Sequence, residues 1–431
     1  MEVKHGYKQS EIGVIPEVWE IAKFSREIEG LDSGVSVNSF VNDFGFHAEE
    51  KAVLKTSAIS SGKFFPDESK LIAPCDIGRA KLNPLKDSII ISRMNTPDLV
   101  GECGYVFADF PSLFLPDRLW MTRKRNTSEI CILWLNYLLS SNPYKTRIKG
   151  FATGTSGSMK NIAKDAIFSM LIAYPSSDEQ QAIATALNDV DTLLDSLDRL
   201  IAKKRDLKQA AVQQLLTGQT RLPGFSGEWE LKRLGEFGEC IRGVTYKGDS
   251  DLSTHDTAQT NRLLRSNNVQ NATVVIEDIQ FVNADRVSEH QLLRANDILI
   301  CMANGSKALV GKAGLFNVSD GYDYTFGAFM GCFRTNTVGS ISSFVFYLFQ
   351  TERYRNYISN LLAGSSINNL SPGSIESLEF QIPPTSEQSA IAAVLLNMDS
   401  ELNSLENRLK KTRAIKQGMM QELLTGRTRL I

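Results

Sequence analysis

Apolar residues step by four and three along two stretches of the chain. The first runs Ile183, Leu187, Val190, Leu194, Leu197, Ile201, then Ala211 and Leu215; the second runs Ile391, Leu395, Met398, Leu402, Leu405, Leu409, then Met419 and Leu423. This spacing keeps one helix face apolar and is the period of a coiled coil. Ser177-x-x-Gln180 and Thr385-x-x-Gln388, each just after proline, read as capping boxes, and Gly218 and Gly426 stand where C-terminal caps belong. Lys204 and Lys208 interrupt the first seam, Thr412 and Lys416 the second. Two matched helices of about 38 residues, each roughly 57 Å long at 1.5 Å per residue, are expected to pack on each other.

The two stretches are copies. EQQAIATALNDVDTLLDSLDRLIAKKRDLKQAAVQQLLTGQTRL (179–222) returns as EQSAIAAVLLNMDSELNSLENRLKKTRAIKQGMMQELLTGRTRL (387–430), at an offset of 208 without a gap and with about half the positions identical. The regions before each copy correspond more weakly at an offset of 210: Trp19 to Trp229, Asp87 to Asp297, Val100-Gly101 to Val310-Gly311, Gly104 to Gly314, Tyr144 to Tyr354 and Gly154 to Gly364. Within them LKDSIIISRM (85–94) and ANDILICMA (295–303) read as buried strands, EICILWLNYLLS (129–140) and ISSFVFYLFQ (341–350) as helices. The predicted fold class is α+β, with α/β-type domains and two long helices forming an antiparallel coiled coil, in a tandem pseudo-twofold repeat. Its predicted segments are 1–175, a helical 176–222, 223–383 and a helical 384–431.

Composition narrows the function classes. With 42% hydrophobic and 22% charged residues the chain reads as globular, and no run approaches the roughly 18 apolar residues of a membrane span. The opening MEVKHGYKQSEIG has no apolar signal core, so no membrane partner and a cytoplasmic location are expected. The six cysteines lie far apart with no C-x-x-C, which argues against a zinc site or a disulfide framework. A net charge of −2 supplies no global basic field, so any nucleic-acid binding must come from local patches or a larger complex.

At this point the motifs support a family. P-x-x-D-E-Q-Q-A-I (175–183), P-P-T-S-E-Q-S-A-I (383–391), L-L-T-G-Q-T-R-L (215–222), L-L-T-G-R-T-R-L (423–430) and G-V-I-P-E-V-W (13–19), in that duplicated order, resemble the specificity subunit of type I restriction–modification systems. The resemblance implies two target recognition domains, 1–175 and 223–383, each reading one half of a split, asymmetric double-stranded DNA target across an unread spacer. It implies that the helical regions dock two methyltransferase subunits, that restriction/translocase subunits join them, and that S-adenosylmethionine, ATP and magnesium are bound by those partners and not by this chain. Arg429-Leu430 stops where the first copy runs on into Pro223-Gly224-Phe225, and Ile15-Pro16…Trp19 looks like the missing continuation.

Catalytic chemistry is sought and not found. Asn142-Pro143-Tyr144 lacks the second proline of an adenine-methyltransferase motif and reads as a turn after a helix. Gly305…Gly311-Lys312-Ala313 has one residue too many between its glycines for a phosphate loop, and Ala313 where a hydroxyl should ligate magnesium. Asp67-Glu68-Ser69-Lys70 reads as a solvated turn, and His5, His47, His255 and His290 are scattered. A non-catalytic subunit is therefore expected. The other class the repeat allows is a coiled-coil scaffold without DNA reading, against which stand two diverged domains with polar loops at matched positions.

Base reading needs Arg, Lys, Asn, Gln, Ser or Thr at groove edges. Candidates follow the buried strands, Arg93, Asn95 and Thr96 in one copy and Asn304, Ser306 and Lys307 in the other. A second pair is the glycine-rich turn, with Thr155, Ser156, Ser158 and Lys160 against Ser365, Ser366 and Asn368. The first of these turns is flanked by Lys145, Arg147, Lys149 and Lys164, a run that would suit phosphates. The third is an early loop, Ser33-Gly34-Val35-Ser36 against Arg242, Tyr246 and Lys247, although Tyr246 also suits simple packing.

Overall fold

The computed structural model describes residues 5–40, 50–154, 159–336, 340–363 and 368–430. Two long helices, Ser177–Leu216 and Thr385–Leu423, are continuous. The chain divides into two compact units, Met1–Leu197 with Arg408–Ile431, and Asp198–Asn407, so each unit owns part of both helices.

In the first unit an antiparallel sheet is built on Ser88–Ser92, buried at every position, with Cys103–Val106 on one side and Leu119–Lys124 then Ile28–Ser33 on the other. A second sheet pairs Leu113–Phe114 in parallel with Ala52–Leu54, followed by Ser69–Ile72 and Ser39–Phe40. Helix Ile132–Ser140 covers the first sheet, burying Trp134, Leu135 and Leu138 with Ile89, Ile91 and Trp120. The alternation along Ser88–Ser92 explains both layers, since Ile89 and Ile91 enter that core and Ile90 joins Leu119 and Met121 in another.

The second unit repeats this order. Ile298–Cys301 is the buried strand, flanked by Ala313–Leu315 and by Met330–Thr335 then Gly238–Arg242, while Tyr324–Phe326 runs parallel to Thr260–Leu264. Its register corrects the expected correspondence. Ile90 faces Gly104 and Leu299 faces Gly314, so Ile90 answers to Leu299, and the match of Asp87 to Asp297 is off by one. Asn296 takes the place of Asp87, and both have positive φ, 71° and 55°. The turn after the strand is one residue longer in the second unit, which restores the later matches.

Each unit contains an antiparallel pairing of helix segments. In the second, Lys204 meets Glu401 at 2.7 Å and Lys208 meets Asp399 at 2.5 Å, one rising in number as the other falls. In the first, Lys416 meets Asp191 at 2.6 Å and Arg429 meets Glu179. The seam-breaking lysines are thus structural. Asp399 also accepts from Tyr347 (2.7 Å) and Asp191 from Tyr137 (2.8 Å), and burial, with the adjacent carboxylates, pushes both phenols well above their ordinary pKa.

The helix ends differ from expectation at one side only. Ser176, not Ser177, accepts the Glu179 N–H, and Gln180 donates to the Pro175 carbonyl instead of closing a capping box. In the other helix Gln388 does the same to Pro383, and Pro384 stands where the capping hydroxyl would be. At the far ends Gly218 and Gly426 both adopt φ 71°, the left-handed C-cap.

Just past each cap lies the same buried node. Glu387 is held by Arg221 at 2.5 and 2.6 Å and by the Trp229 indole at 3.3 Å; Glu179 is held by Arg429 and by the Trp19 indole at 3.0 Å. These bonds to carboxylate raise both arginines above their usual pKa. A Cβ on Gly426 would lie 2.4 Å from Pro16 and 3.1 Å from Trp19, and Tyr7 donates to the Gly426 carbonyl at 2.9 Å. The Ile15-Pro16…Trp19 segment therefore packs on Gly426 as Trp229 packs on Gly218.

Candidate nucleic-acid interface

In the first unit, the turn after Ser88–Ser92 runs back into the sheet edge as Met94–Asn95, which pairs with Lys160–Asn161 so that Asn95 faces Lys160. This joins two of the three predicted loops. Arg93 donates its backbone N–H to the Arg118 carbonyl at 3.1 Å, and its guanidinium lies over the buried Trp120 ring at 5.7 Å. The ammonium of Lys164, on helix Lys164–Phe168, approaches the same ring at 5.9 Å. Arg93 and Lys164 thus share one tryptophan, Arg118 directly precedes the strand that carries it, and Lys160, facing Asn95, donates its ammonium to the Gly154 carbonyl at 3.0 Å. The Arg93 Nε is buried without a hydrogen-bond partner in the described structure.

Other predicted residues are committed internally. Asn95 is buried, accepts from the Thr96 N–H and donates to Ser92. Thr96 is exposed beside it. Lys145 pairs with the buried Glu102, Arg147 donates to the Leu171 carbonyl, and Lys149 donates to that of Asp98, so these three cations hold the helix after Ser141 and not an open patch. Asn142-Pro143-Tyr144 opens that helix, Asn142–Gly150. Thr155, Ser156 and Ser158, like Ser365 and Ser366 in the second unit, lie outside the described residues.

In the second unit the equivalent turns also meet. Ala303 bridges to Asn369, the Asn368 side chain donates to the Gly305 carbonyl at 3.2 Å, and Asn304 donates to Ser266 at 3.3 Å while accepting from the Ser306 N–H. The early loop arrives here too, and Tyr246, Arg265, Ser266, Asn304, Phe329 and Asn368 line a cavity of about 580 Å³. The other predicted residues lie apart from it. Arg242 and Lys247 are exposed, with the Lys247 N–H and then Arg286 holding the Asp251 carboxyl below its ordinary pKa. Lys307 lies on a separate depression of about 790 Å³ with Lys312 and Arg355.

Phe329, Arg265 and Ser266 in this unit, and Arg118, Trp120 and Lys164's place beside it in the first, were not singled out from the sequence as base-facing. The backbone makes Arg118 and Phe329 equivalents: the Phe329 carbonyl accepts from Met302 and Ala303 as the Arg118 carbonyl accepts from Arg93, and each residue directly precedes its strand. A signal existed in aligning Asp117-Arg118-Leu119 with Ala328-Phe329-Met330.

No helix of the described structure is long and apolar enough to cross a membrane. The family described as "Type I restriction modification DNA specificity domain" matches residues 226–415. The Escherichia coli (strain K12) type I restriction enzyme EcoKI specificity subunit is 33% identical over 198 residues, 46% of this chain and 42% of that protein, so the match spans less than half of the relative. The type I restriction enzyme MjaVIII specificity subunit of Methanocaldococcus jannaschii is 21% identical over 344 residues, 77% of each chain. The solved type I restriction–modification S subunit from M. genitalium shares the fold, with a TM-score of 0.60 over 98% of both chains at 16% identity.

Proposed function

We propose that the chain, matched by the specificity-domain family over residues 226–415 and similar over 46% of its length to a type I specificity subunit, is a specificity subunit of a type I restriction–modification system that reads a bipartite, asymmetric duplex target, one half per unit, and directs partner subunits to it. The chemistry resides in those partners: two methyltransferase subunits carrying S-adenosylmethionine, and restriction/translocase subunits using ATP and magnesium. The two helices serve as the spacer and the methyltransferase dock. The observation that carries this reading is a shared frame with different exposed chemistry. In both units the turn after the inner strand meets the segment that follows the glycine-rich turn, yet one presents cations around Trp120 and the other a cavity edged by Tyr246, Asn304, Phe329 and Asn368. A duplicated scaffold that reads two unlike half-sites is built this way, with backbone contacts positioning and side chains specifying.

Methylome sequencing of a host carrying the chain with its methyltransferase subunits tests it. The expected outcome is one new split motif with unlike halves, and replacement of residues 1–175 by another recognition domain changes one half only. Absence of any motif, or a change in both halves, overturns the assignment.

A further inference from the structure

Phe329 is the second unit's most unusual surface residue. The residue is 71% exposed, the highest among the large exposed hydrophobics of the described residues. Yet its backbone is pinned: its carbonyl accepts from Met302 (2.9 Å) and Ala303 (3.0 Å), and Met330 closes the turn onto Gly327 at 2.8 Å. A bulky apolar ring is therefore held in water on a rigid tip at little ordering cost, beside a cavity walled by Tyr246 and the amides of Asn304 and Asn368.

The matched positions sharpen the contrast. Where the first unit carries Arg93, Arg118, Lys160 and Lys164, the second carries Met302, Phe329, Asn368 and Pro372. Cations win affinity by releasing counterions from phosphates. The second unit carries none of these cations at the matched positions, and Arg265, which lines its cavity, is paired with Asp278 at 3.1 Å; an exposed aromatic offers another source, stacking on an unpaired or opened base.

We propose, on the basis of the DNA-reading function above, that Phe329 enters the half-site read by the second unit as an apolar wedge, opening one base step and stacking on a base face. Wedges of this chemistry kink the steps they enter and draw specificity from how easily a step unstacks. Asn304 and Asn368, on the adjacent wall, are placed to take the edges of the exposed bases. The half-site read through Phe329 is expected to include a pyrimidine–purine step, the easiest to open.

The test uses the chain assembled with its methyltransferase subunits and duplexes bearing its own target, with 2-aminopurine placed in turn at each adenine of both halves. Beyond the target adenines that the methyltransferase subunits themselves extrude, which rise in either half whatever residue stands at 329, wild-type complex is expected to raise the fluorescence at one further position, in the second half. Phe329→Ala should abolish that rise and weaken binding roughly 10- to 100-fold, Phe329→Trp should keep both, and Arg118→Ala should leave the rise intact. Unchanged fluorescence and affinity in Phe329→Ala overturn the wedge. So does loss of subunit assembly with normal DNA affinity in the complexes that form, which would make Phe329 a protein-docking residue. Failure of wild type to bind any split target strikes the DNA-reading function instead.

Discussion

The two units share nearly every structural support and differ in what they hold out to solvent. Both place a five- or four-residue buried strand at the sheet centre, both bury a glutamate under a tryptophan and an arginine, and both fill the helix seam with an Asp–Lys–Tyr group. At the turn after the inner strand the agreement stops: Arg93 over Trp120 becomes Met302 against Gly331, where a Cβ would come within 2.8 Å of the methionine. The buried supports of the two units match, and the exposed faces proposed to meet DNA do not.

If the frame is equivalent, damage to it should be equally severe in either copy. Glu179→Gln and Glu387→Gln each remove a buried charge from an arginine and a tryptophan, and each should destabilise its unit by about 2–4 kcal/mol. Denaturant unfolding of the full chain checks this, and a clear inequality would show that the two nodes carry different loads.

The faces, by contrast, should respond differently. Arg93→Ala and Lys164→Ala should each lower the salt slope of target binding by roughly 1, whereas Asn368→Ala should leave the slope unchanged. Equilibrium titrations between low and moderate salt give the slopes. A reciprocal swap goes further: Phe329→Arg should steepen the slope by about 1 and alter only the second half of the methylated motif. An alteration of the first half would break the pairing of unit with half-site.

Smallest of all should be the solvent-facing ion pairs along the helices. Arg205 and Glu406 lie 2.5 Å apart but are 57% and 39% exposed, so Glu406→Gln should change the unfolding free energy by less than about 1 kcal/mol.

Much of the frame was legible because it obeys periodicity. The helix seam, its glycine caps and the buried strands follow from spacing alone, and the register error at Asp87 arose because one inserted turn residue is invisible until strand partners are known. Lys208 and Lys416 read as breaks in the seam because a helix pattern does not display the Asp399 and Asp191 that face them from a distant segment. The site was less legible. Asn304, Asn368 and Tyr246, singled out by residue chemistry, line one cavity, but Phe329 beside them precedes strand residues that are buried, and an apolar residue in such a run reads as core. Arg147 and Lys149 failed in the opposite direction, since cationic residues look available until their carbonyl partners are seen.

The bond from Tyr7 to the Gly426 carbonyl spans 419 positions, and Trp19 closes on a node that includes Arg429. The second unit, residues Asp198–Asn407, is one unbroken run, whereas the first draws on Arg408–Ile431. During synthesis the usual order of domain completion is from the N-terminus onward. Here the unit that emerges first from the ribosome waits for the last helix to be made, while the unit that emerges second can close on its own. A released chain ending after residue 407 would therefore contain every residue of the second unit but not of the first, with Ile183 and Leu187 lacking Leu423 and Leu424 to pack against.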